Sequence, residues 1–361
     1  MNRIKNINEL PEELKEYYFE LPEEYIAKYP IIPRDHAKLM VLQNQKIQDD
    51  YFYNLDKYLP ENSILVFNRT KVSFRRVYLF HERTKKYFEV LFLDLIDKNL
   101  WKCLIKNGRK IKKNDVLKIK DYFFQLERRD EKFFYLSAWK NNISTLENYQ
   151  DSESFFDEFG LPPIPPYLKR EAEDIDKEYY QTIFALEPGS VAAPTASLHF
   201  TEELLKKISQ KHKILYLNLR IGYGTFSPLG EKEIQNKELH EEYYQIPEET
   251  AQILNESKNK NPIIAVGTTT LRALEDNFLK FKQFKEGNYS TKLFIKPPDL
   301  IYSSDYLITN FHLPASSLFL LVCAFGGKDY LKYSYQYAIQ KKYRFFSYGD
   351  GMIIQNQKYF I

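Results

Sequence analysis

The order of strands and helices along the chain is the feature that most restricts its fold. From Thr201 onward, segments with helical spacing alternate with short apolar strands, such as the strand at 262–266 and the helix after Gly267. Strands that alternate with helices in this way form a mainly parallel sheet covered on both faces. Residues 20–70 carry another unit of the same kind, so both ends of the chain are expected to contribute to one α/β domain.

A block of different character separates these two parts. From about Ser73 to Trp139 the chain consists of short aromatic or β-branched segments, such as 88–93, between clusters of turn residues. Strands spaced about ten residues apart without a helical period are typical of a small barrel or sandwich. We therefore predict two domains, an inserted β-barrel with its return linker at 73–154 and a discontinuous α/β domain at 1–72 and 155–361.

The composition argues against a disordered or membrane-spanning chain. Of the 361 residues, 43% are hydrophobic and 28% are charged, which is ordinary for a globular protein. Cys103 and Cys323 stand alone, so the sequence shows neither a metal-binding spacing nor a disulfide framework. The longest apolar run, 318–325, is too short to cross a bilayer, and the N-terminus does not resemble a signal peptide. We expect a cytoplasmic protein without a metal centre.

Basic residues are concentrated in one part of the predicted barrel. The net charge of +3 is too small to indicate nucleic-acid binding, but seven basic residues and no acid occur from Lys98 to Lys113. This segment is either a solvated hairpin surface or a patch that binds nucleic-acid phosphates. In the second interpretation, the phosphate-binding residues are Lys106, Arg109, Lys110, Lys112 and Lys113.

Polar clusters follow four of the predicted strands. They begin at Asn68, Arg220, Gly267 and Thr309. Ligands of α/β sheets bind beyond the carboxyl ends of the strands, where such clusters converge on one edge. Each cluster taken alone is also explained by turn formation or helix capping. Three threonines follow Gly267, and the main-chain N–H groups and hydroxyls of this turn suit an anion or a ribose.

The segment Gly189–Thr201 contains small, apolar and hydroxyl side chains, no charged residue and a single histidine, His199. A loop of this composition suits close approach of the backbone to a ligand. His199 precedes the predicted start of a helix, where the positive helix end favours the neutral imidazole, the form that accepts a proton. His199 is therefore the best single candidate for an acid or base, and a satisfied structural histidine is the alternative.

Ordered motifs extend over nearly the whole chain. They lie at 21–30, 34–35, 66–68, 107–110, 166–171, 180–182, 189–201, 224–226, 240–244, 265–269, 272–275, 308–314 and 343–350. In their order and in their residues, these motifs resemble those of the S-adenosylmethionine:tRNA ribosyltransferase-isomerase family of queuosine biosynthesis. The segment Gly189–Thr201 is the most specific of these motifs.

The resemblance implies a reaction and its participants. The ribosyl part of S-adenosylmethionine, the co-substrate, is transferred to the aminomethyl group of a 7-deazaguanine base at the tRNA wobble position. Adenine and methionine leave, and the sugar rearranges to an epoxycyclopentane, which gives epoxyqueuosine. The implied partner is a tRNA with a GUN anticodon that carries 7-aminomethyl-7-deazaguanine. No metal is needed, because the sulfonium is already an activated leaving group, and we expect a monomer with a cleft between the barrel and the α/β domain.

The reaction that the resemblance implies needs two catalytic groups. A base removes a proton beside the sulfonium, and an acid assists the departure of adenine. His199 is the first candidate for one of these roles. Asp350, Glu275 and His312 are the candidates for the other.

The resemblance also implies substrate contacts. The barrel cations, above all Arg109 and Lys110, would hold phosphates of the anticodon arm, and Tyr167, Tyr223 and Tyr348 are candidates to stack the extruded base. The predicted substrate-binding residues are Arg34, Asp35, Asn68, Thr70, Tyr167, Arg170, Gly189, Ser190, Thr195, Gly224, Thr225, Thr268, Thr269, Arg272, Asn310 and Tyr348.

Three positions depart from the family pattern. Arg69 stands where an acid is usual, Arg220 where a histidine is common and Ala315 where a lysine is common. These departures leave two alternatives open. One is a divergent relative that binds tRNA without catalysis, and the other is an enzyme that uses S-adenosylmethionine with a different acceptor.

Overall fold

The computed structural model describes residues 7–222 and 229–360. Its strands are β1 (Lys38–Gln43), β2 (Lys46–Tyr51), β3 (Ile64–Asn68), β4 (Thr70–Val72), β5 (Arg76–His81), β6 (Lys86–Asp97), β7 (Leu100–Ile105), β8 (Val116–Ile119), β9 (Tyr122–Arg129), β10 (Phe134–Lys140), β11 (Ile143–Ser144), β12 (Glu187–Ser190), β13 (Lys213–Leu219), β14 (Glu238–Ile246), β15 (Ile263–Val266), β16 (Gly287–Leu293), β17 (Tyr306–Asn310) and β18 (Gly351–Gln355). Its α-helices are α1 (Glu12–Lys15), α2 (Tyr149–Phe159), α3 (Asp174–Tyr179), α4 (Glu202–Ser209), α5 (Glu231–Asn236), α6 (Glu248–Ser257), α7 (Thr268–Phe281), α8 (Ser317–Gly326) and α9 (Lys328–Gln340).

A large sheet, nine-stranded in the described residues, forms the centre of the α/β domain. Its order is β16-β14-β13-β3-β15-β17-β18-β1-β2, and β13, β3, β15 and β17 run parallel. β18 pairs antiparallel with β17 and parallel with β1, while β2, β14 and β16 pair antiparallel with their neighbours. The predicted α/β class is confirmed. Parallel pairing holds for the central strands, and the flanking strands make the sheet mixed. The sequence did not predict these antiparallel strands, because an apolar pattern does not encode strand direction.

The central strands are buried on both faces. Every residue of β3 and β15 is buried, as expected for strands covered by helices on each side. Val66 and Ala265 face one core, and their neighbours Leu65 and Ile264 face the other. The alternation of side chains along a strand thus divides the apolar residues between the two faces. None of the helices in the described ranges is long and apolar enough to cross a membrane.

The inserted segment closes into an antiparallel barrel, which confirms the predicted all-β insertion. The strands follow the order β10-β7-β6-β5-β8-β9, and pairing of β9 with β10 closes the ring. β11 extends β10 outside the ring. The barrel core contains Phe92, Trp101 and Phe124, and α2 adds Phe155 and Phe156. The aromatic residues that are frequent in this part of the sequence therefore serve mainly to fill a narrow interior.

Candidate active site

Six strands place polar ends at one edge of the large sheet. β13, β3, β15 and β17 end there, and β18 and β1 run in the opposite direction and begin there. The convergence that the sequence predicts is therefore present. The predicted residues at this edge are Asn68 and Asn310 at the last positions of strands, Arg220 and Gly267 after strands, and Arg34, Asp35 and Asp350 before strands.

His199 lies at this edge in contact with Asn310. Its Nε2 is 3.0 Å from Asn310 Nδ2, and its ring centroid is 4.7 Å from that of Phe52. His199 is 5% exposed, and burial lowers the pKa of its imidazole to about 4, opposed by a hydrogen bond to the main chain of Arg34. The imidazole is therefore uncharged at neutral pH, and its Nε2 accepts a hydrogen bond from the Asn310 amide, a contact that must open before Nε2 takes a proton from a substrate.

Local hydrogen bonds hold the segment that carries His199. Residues Thr195–His199 form a 3₁₀ turn, and Thr201 then caps α4, as predicted, by accepting a hydrogen bond from Leu204 N at 3.1 Å. Thr201 Oγ1 also donates to Asp35 Oδ2 at 3.1 Å. The histidine is thus fixed between a helix start and the segment before β1.

The helix α7 begins beside this turn. Gly267 has φ = 97°, which favours glycine, and a Cβ on it would lie 4.0 Å from the Cβ of Ala196. Thr268 and Thr269 are each 7% exposed, and neither hydroxyl has a hydrogen-bond partner within the described ranges. The start of α7 therefore offers donors to a ligand, as the sequence predicts.

Arg272 and His312, two other predicted residues, already have protein partners. Arg272, in the second turn of α7, forms a buried ion pair with Glu242 of β14 at 2.6 Å. His312 Nε2 is 3.0 Å from Thr309 Oγ1, and burial lowers the pKa of His312 to about 3. Both side chains therefore stabilise the surroundings of the edge, in addition to any contact with substrate.

The two acidic candidates occupy different places. Asp350 accepts hydrogen bonds from the main-chain N–H groups of Lys38 at 2.9 Å and Arg344 at 2.7 Å, and burial raises its pKa. Glu275 accepts N–H groups from residues 302 and 303, which precede β17 at the opposite, amino edge of the sheet. The structure thus brings Asp350 to the candidate site and does not bring Glu275 there.

Several predicted substrate-binding residues act as clamps between strands. The Asn68 side chain bonds both the N–H and the C=O of Leu219 at 3.0 Å. Thr70 Oγ1 is 2.6 Å from Ser190 Oγ, which also accepts the N–H of Ile221 at 2.9 Å. Gly189, with φ = 125°, leads into this clamp. These polar groups join β3 to β13 and β4 to β12.

A second group joins the linker before β12 to the segment before β18. Arg170 binds Asp176 through two hydrogen bonds of 2.7 Å, and Tyr348 donates to the same carboxylate at 2.7 Å. Tyr167 stacks on Phe346 with centroids 4.5 Å apart. The structure brings these predicted residues together with each other, and protein groups occupy the ring face of Tyr167 and the polar ends of Arg170 and Tyr348.

Arg34 takes part in the same packing. Its guanidinium donates to Gln181 O at 3.0 Å and lies 4.8 Å from the ring centroid of Tyr179. Thr195 is half-buried at the start of the His199 turn. Tyr223, Gly224 and Thr225 lie outside the described residues.

The basic segment occupies the tip of the barrel between β7 and β8. Its predicted phosphate-binding residues are exposed. Arg129 Nη1 donates to the carbonyls of Arg109 at 3.3 Å and Ile111 at 3.4 Å, and Arg83 Nη2 donates to Lys110 O at 2.6 Å. Arg83 also lowers the pKa of Asp115 to about 2. Other arginines thus fix the backbone of the loop. Lys106 is paired with Glu89 at 3.5 Å, and the side chains of Arg109, Lys110, Lys112 and Lys113 are exposed.

The three departures from the family pattern have distinct surroundings. Arg69 Nε donates to Asn218 Oδ1 at 3.1 Å. Arg220 is exposed and lies 4.7 Å from the ring centroid of Tyr149, which begins α2. Ala315 adopts φ = 54°. The basic residues at 69 and 220 therefore lie at the same edge as Asn68.

Two residues next to His199 were not predicted from the sequence. Phe52 packs against the imidazole, and a Cβ on Gly351 would lie 3.0 Å from Phe52 and 3.6 Å from His199. Glycine at 351 thus lets β18 approach the imidazole closely. No local motif marks either position, although the Gly349–Gly351 spacing was a signal that the chain approaches another element there.

Comparison with known proteins identifies relatives over almost the whole chain. A family model described as queuosine biosynthesis protein matches residues 14–354. A protein named S-adenosylmethionine:tRNA ribosyltransferase-isomerase from Sulfurihydrogenibium is 44% identical over 347 residues, covering 94% of this chain and 99% of that protein. A protein of the same name from Aquifex aeolicus is 44% identical, with the same coverage. The crystal structure of an S-adenosylmethionine tRNA ribosyltransferase from Thermotoga maritima is similar, with a TM-score of 0.52, 32% identity and coverage of 94% and 99%.

Proposed function

The chain belongs to the queuosine biosynthesis protein family, and we propose on that basis that it is an S-adenosylmethionine:tRNA ribosyltransferase-isomerase. It transfers and isomerises the ribosyl group of S-adenosylmethionine onto the 7-aminomethyl-7-deazaguanine base at the tRNA wobble position. The products are epoxyqueuosine in tRNA, adenine and methionine. One observation supports placing the active site at the edge where the parallel strands end. There His199 contacts Asn310.

The geometry supports a division of roles. His199 is neutral and buried, so its imidazole is suited to remove the proton from the carbon beside the sulfonium. Asp350 is the best placed of the acid candidates, because Gly351, the next residue, approaches the His199 ring and because burial raises the pKa of the Asp350 carboxyl. His312 is the second candidate. Glu275, held at the amino edge, stabilises the fold instead.

The barrel is proposed to position the tRNA. Its exposed cations lie on a loop whose backbone is fixed by Arg83 and Arg129, so the loop presents them together for phosphate contacts. We further propose that the tRNA has a GUN anticodon, and that the protein acts as a monomer in the cytoplasm. S-adenosylmethionine is the only co-substrate in this proposal, and no step requires a metal.

The double substitution Arg109→Ala with Lys110→Ala is expected to raise the Michaelis constant for tRNA without changing turnover. Because each lost phosphate contact removes about 0.7 to 0.9 from the slope of log affinity against log salt, the slope should become shallower by about 1.5. The measurement is the tRNA titration at several salt concentrations. Lys260→Ala with Lys282→Ala, two exposed lysines near the amino edge, is the matched control. An unchanged slope in the barrel variant would show that the loop is only a solvated surface.

The function itself is tested by product release. The protein is incubated with S-adenosylmethionine and either tRNA that carries the aminomethyl-deazaguanine base or the same tRNA without it. The proposal predicts adenine and methionine in equal amounts, only with the modified tRNA. Retention of tRNA without any adenine release would identify a binding protein instead. Release that depends on another acceptor would assign a different substrate to the same site.

A further inference from the structure

Among the residues that the structure describes, no side chain caps the positive end of the helix α7 or neutralises it from the first turn. α2, α4 and α8 are capped by the side chains of Asn148, Thr201 and Ser316, and α6 has two glutamates in its first turn. α7 has neither a side-chain cap nor an acidic residue in its first turn. The N–H groups of residues 268–270 donate to no carbonyl within the described ranges. A helix of 14 residues therefore presents its partial positive charge directly at the sheet edge.

A second observation points to a ligand at the same place. Asn310 Oδ1 is buried and has no hydrogen-bond partner in the described chain, although Nδ2 of the same amide contacts His199. Asn310 ends β17, the neighbour of β15, and Gly267 N donates to Ile308 O at 2.8 Å. Asn310 therefore lies about one strand spacing, ~4.8 Å, from the start of α7. A buried acceptor without a partner calls for a donor from a ligand or a water.

We propose that the first turn of α7 binds the α-carboxylate of S-adenosylmethionine, with Thr268 and Thr269 donating their hydroxyl groups. The inference rests on the proposed function and assigns the orientation of the co-substrate. Its amino-acid end lies at α7, and its sulfonium and ribose lie toward His199 and Asn310. The short aliphatic chain between carboxylate and sulfonium fits the distance of about 5 Å between neighbouring strands. Asn310 Oδ1 then accepts a hydrogen bond from a ribose hydroxyl.

The donors at α7 favour a carboxylate over the ribose at this point. The turn offers main-chain N–H groups and the hydroxyls of Thr268 and Thr269, with no carboxylate among its side chains. Ribose hydroxyls in nucleotide sites are commonly held by an acidic side chain that accepts their protons. An anion instead gains charge-assisted hydrogen bonds from several donors at once and is stabilised by the helix dipole.

The test compares binding of S-adenosylmethionine, its decarboxylated analogue and its 2′-deoxy analogue by calorimetry. The unmodified protein should bind S-adenosylmethionine at least about tenfold more tightly than the decarboxylated analogue. Thr268→Val with Thr269→Val should reduce this preference to about threefold or less and leave affinity for the decarboxylated analogue unchanged. Thr250→Val, a buried threonine in the first turn of α6 that bonds Tyr216 O at 2.8 Å, should keep the full preference.

The possible results of these binding measurements distinguish a failure of this inference from a failure of the proposed function. If the unmodified protein binds both ligands equally, the carboxylate is not recognised and the inference is overturned while the function stands. If the valine substitutions abolish instead the preference for ribose over 2′-deoxyribose, α7 holds the sugar and the orientation is reversed. If neither ligand binds, the proposed function itself fails. The comparison in the unmodified protein remains decisive even if the double variant does not fold.

Discussion

Replacing His199 with glutamine is expected to lower turnover at least about 100-fold, the usual scale for the loss of a general acid or base, while the protein remains folded. The reason is chemical. Burial keeps the imidazole neutral, so Nε2 can take a proton once its contact with the Asn310 amide opens, whereas a glutamine amide cannot. The measurement is single-turnover adenine release with modified tRNA, accompanied by a thermal unfolding curve.

The matched control is His212→Gln. His212 follows α4 at the opposite edge of the sheet, where Lys213 N donates to Ser63 O. It is buried, as His199 is, but lies away from the candidate site, so its substitution should leave turnover within about twofold. Near-normal turnover of His199→Gln would remove His199 from the mechanism. Low turnover together with a lost unfolding transition would instead assign it a structural role.

The pH dependence of the reaction is a second test of His199 as the catalytic base. Because the pKa of His199 is lowered to about 4, the loss of kcat/KM on the acidic side of the profile should occur below about pH 5, while the alkaline side is set by the catalytic acid. The base is in its active form above its own pKa, so the lowered value moves the loss of activity to lower pH. A decline centred near 6.5, the ordinary value for histidine, would show that the catalytic base is not buried in this way.

Asp350→Ala should be the most destabilising of the substitutions considered for the site. The carboxylate accepts the N–H groups of Lys38 and Arg344 at a position that is 1% exposed. Each buried donor left without an acceptor costs about 1 to 3 kcal/mol, so for the two donors we expect a loss of about 2 to 6 kcal/mol in the free energy of unfolding. Chemical denaturation measures this loss, and Asp350→Asn should recover part of it because one acceptor oxygen remains.

Asp130 provides the control for this prediction. It also accepts two main-chain N–H groups, at 2.9 and 2.7 Å, but in an exposed turn of the barrel where water can replace it. Asp130→Ala should therefore cost no more than about 1 kcal/mol. Equal losses for the two variants would contradict the role of burial. Turnover of Asp350→Asn, corrected for the folded fraction, tests whether the carboxyl is also the catalytic acid.

The sequence predicted the architecture well where periodicity carries the information. Alternation of strands and helices after Thr201 gave the α/β domain, and short strands between turns gave the barrel. Strand direction was not predictable, because apolar side chains are equally buried in a parallel or an antiparallel neighbour. The prediction was a mainly parallel sheet. The observed sheet is mixed, because β18 and β1 run antiparallel to the central strands.

The sequence predicted the location of the candidate site at the carboxyl edge of the sheet, but it did not predict the contacts between the side chains there. Asn68 and Thr70 were expected to bind substrate, yet they satisfy main-chain and side-chain groups of neighbouring segments. A polar residue at a strand end can do either or both, so the structural contacts are established while substrate binding by Asn68 and Thr70 stays a prediction. The pairing of His199 with Asn310 spans 111 positions in the sequence, so no local pattern reports it.

Helix geometry explains why Glu275 was misplaced in the sequence interpretation. It follows Thr268 by seven residues, and the rise of about 1.5 Å per residue carries it roughly 10 Å along α7, away from the carboxyl edge. There it accepts the N–H groups that precede β17. Its proximity in sequence to Gly267 suggested a catalytic group, but the direction of α7 places it at the other edge.

The most direct test of the account is a ternary crystal structure with a non-reactive S-adenosylmethionine analogue and a modified anticodon stem-loop. The quantity to measure is the distance from His199 Nε2 to the carbon between the ribose and the sulfonium. The account predicts about 3 to 4 Å, the range of a reactive contact, with the extruded base between the sheet edge and the barrel. An analogue bound at the amino edge near Glu275, or with His199 out of reach of that carbon, would contradict it.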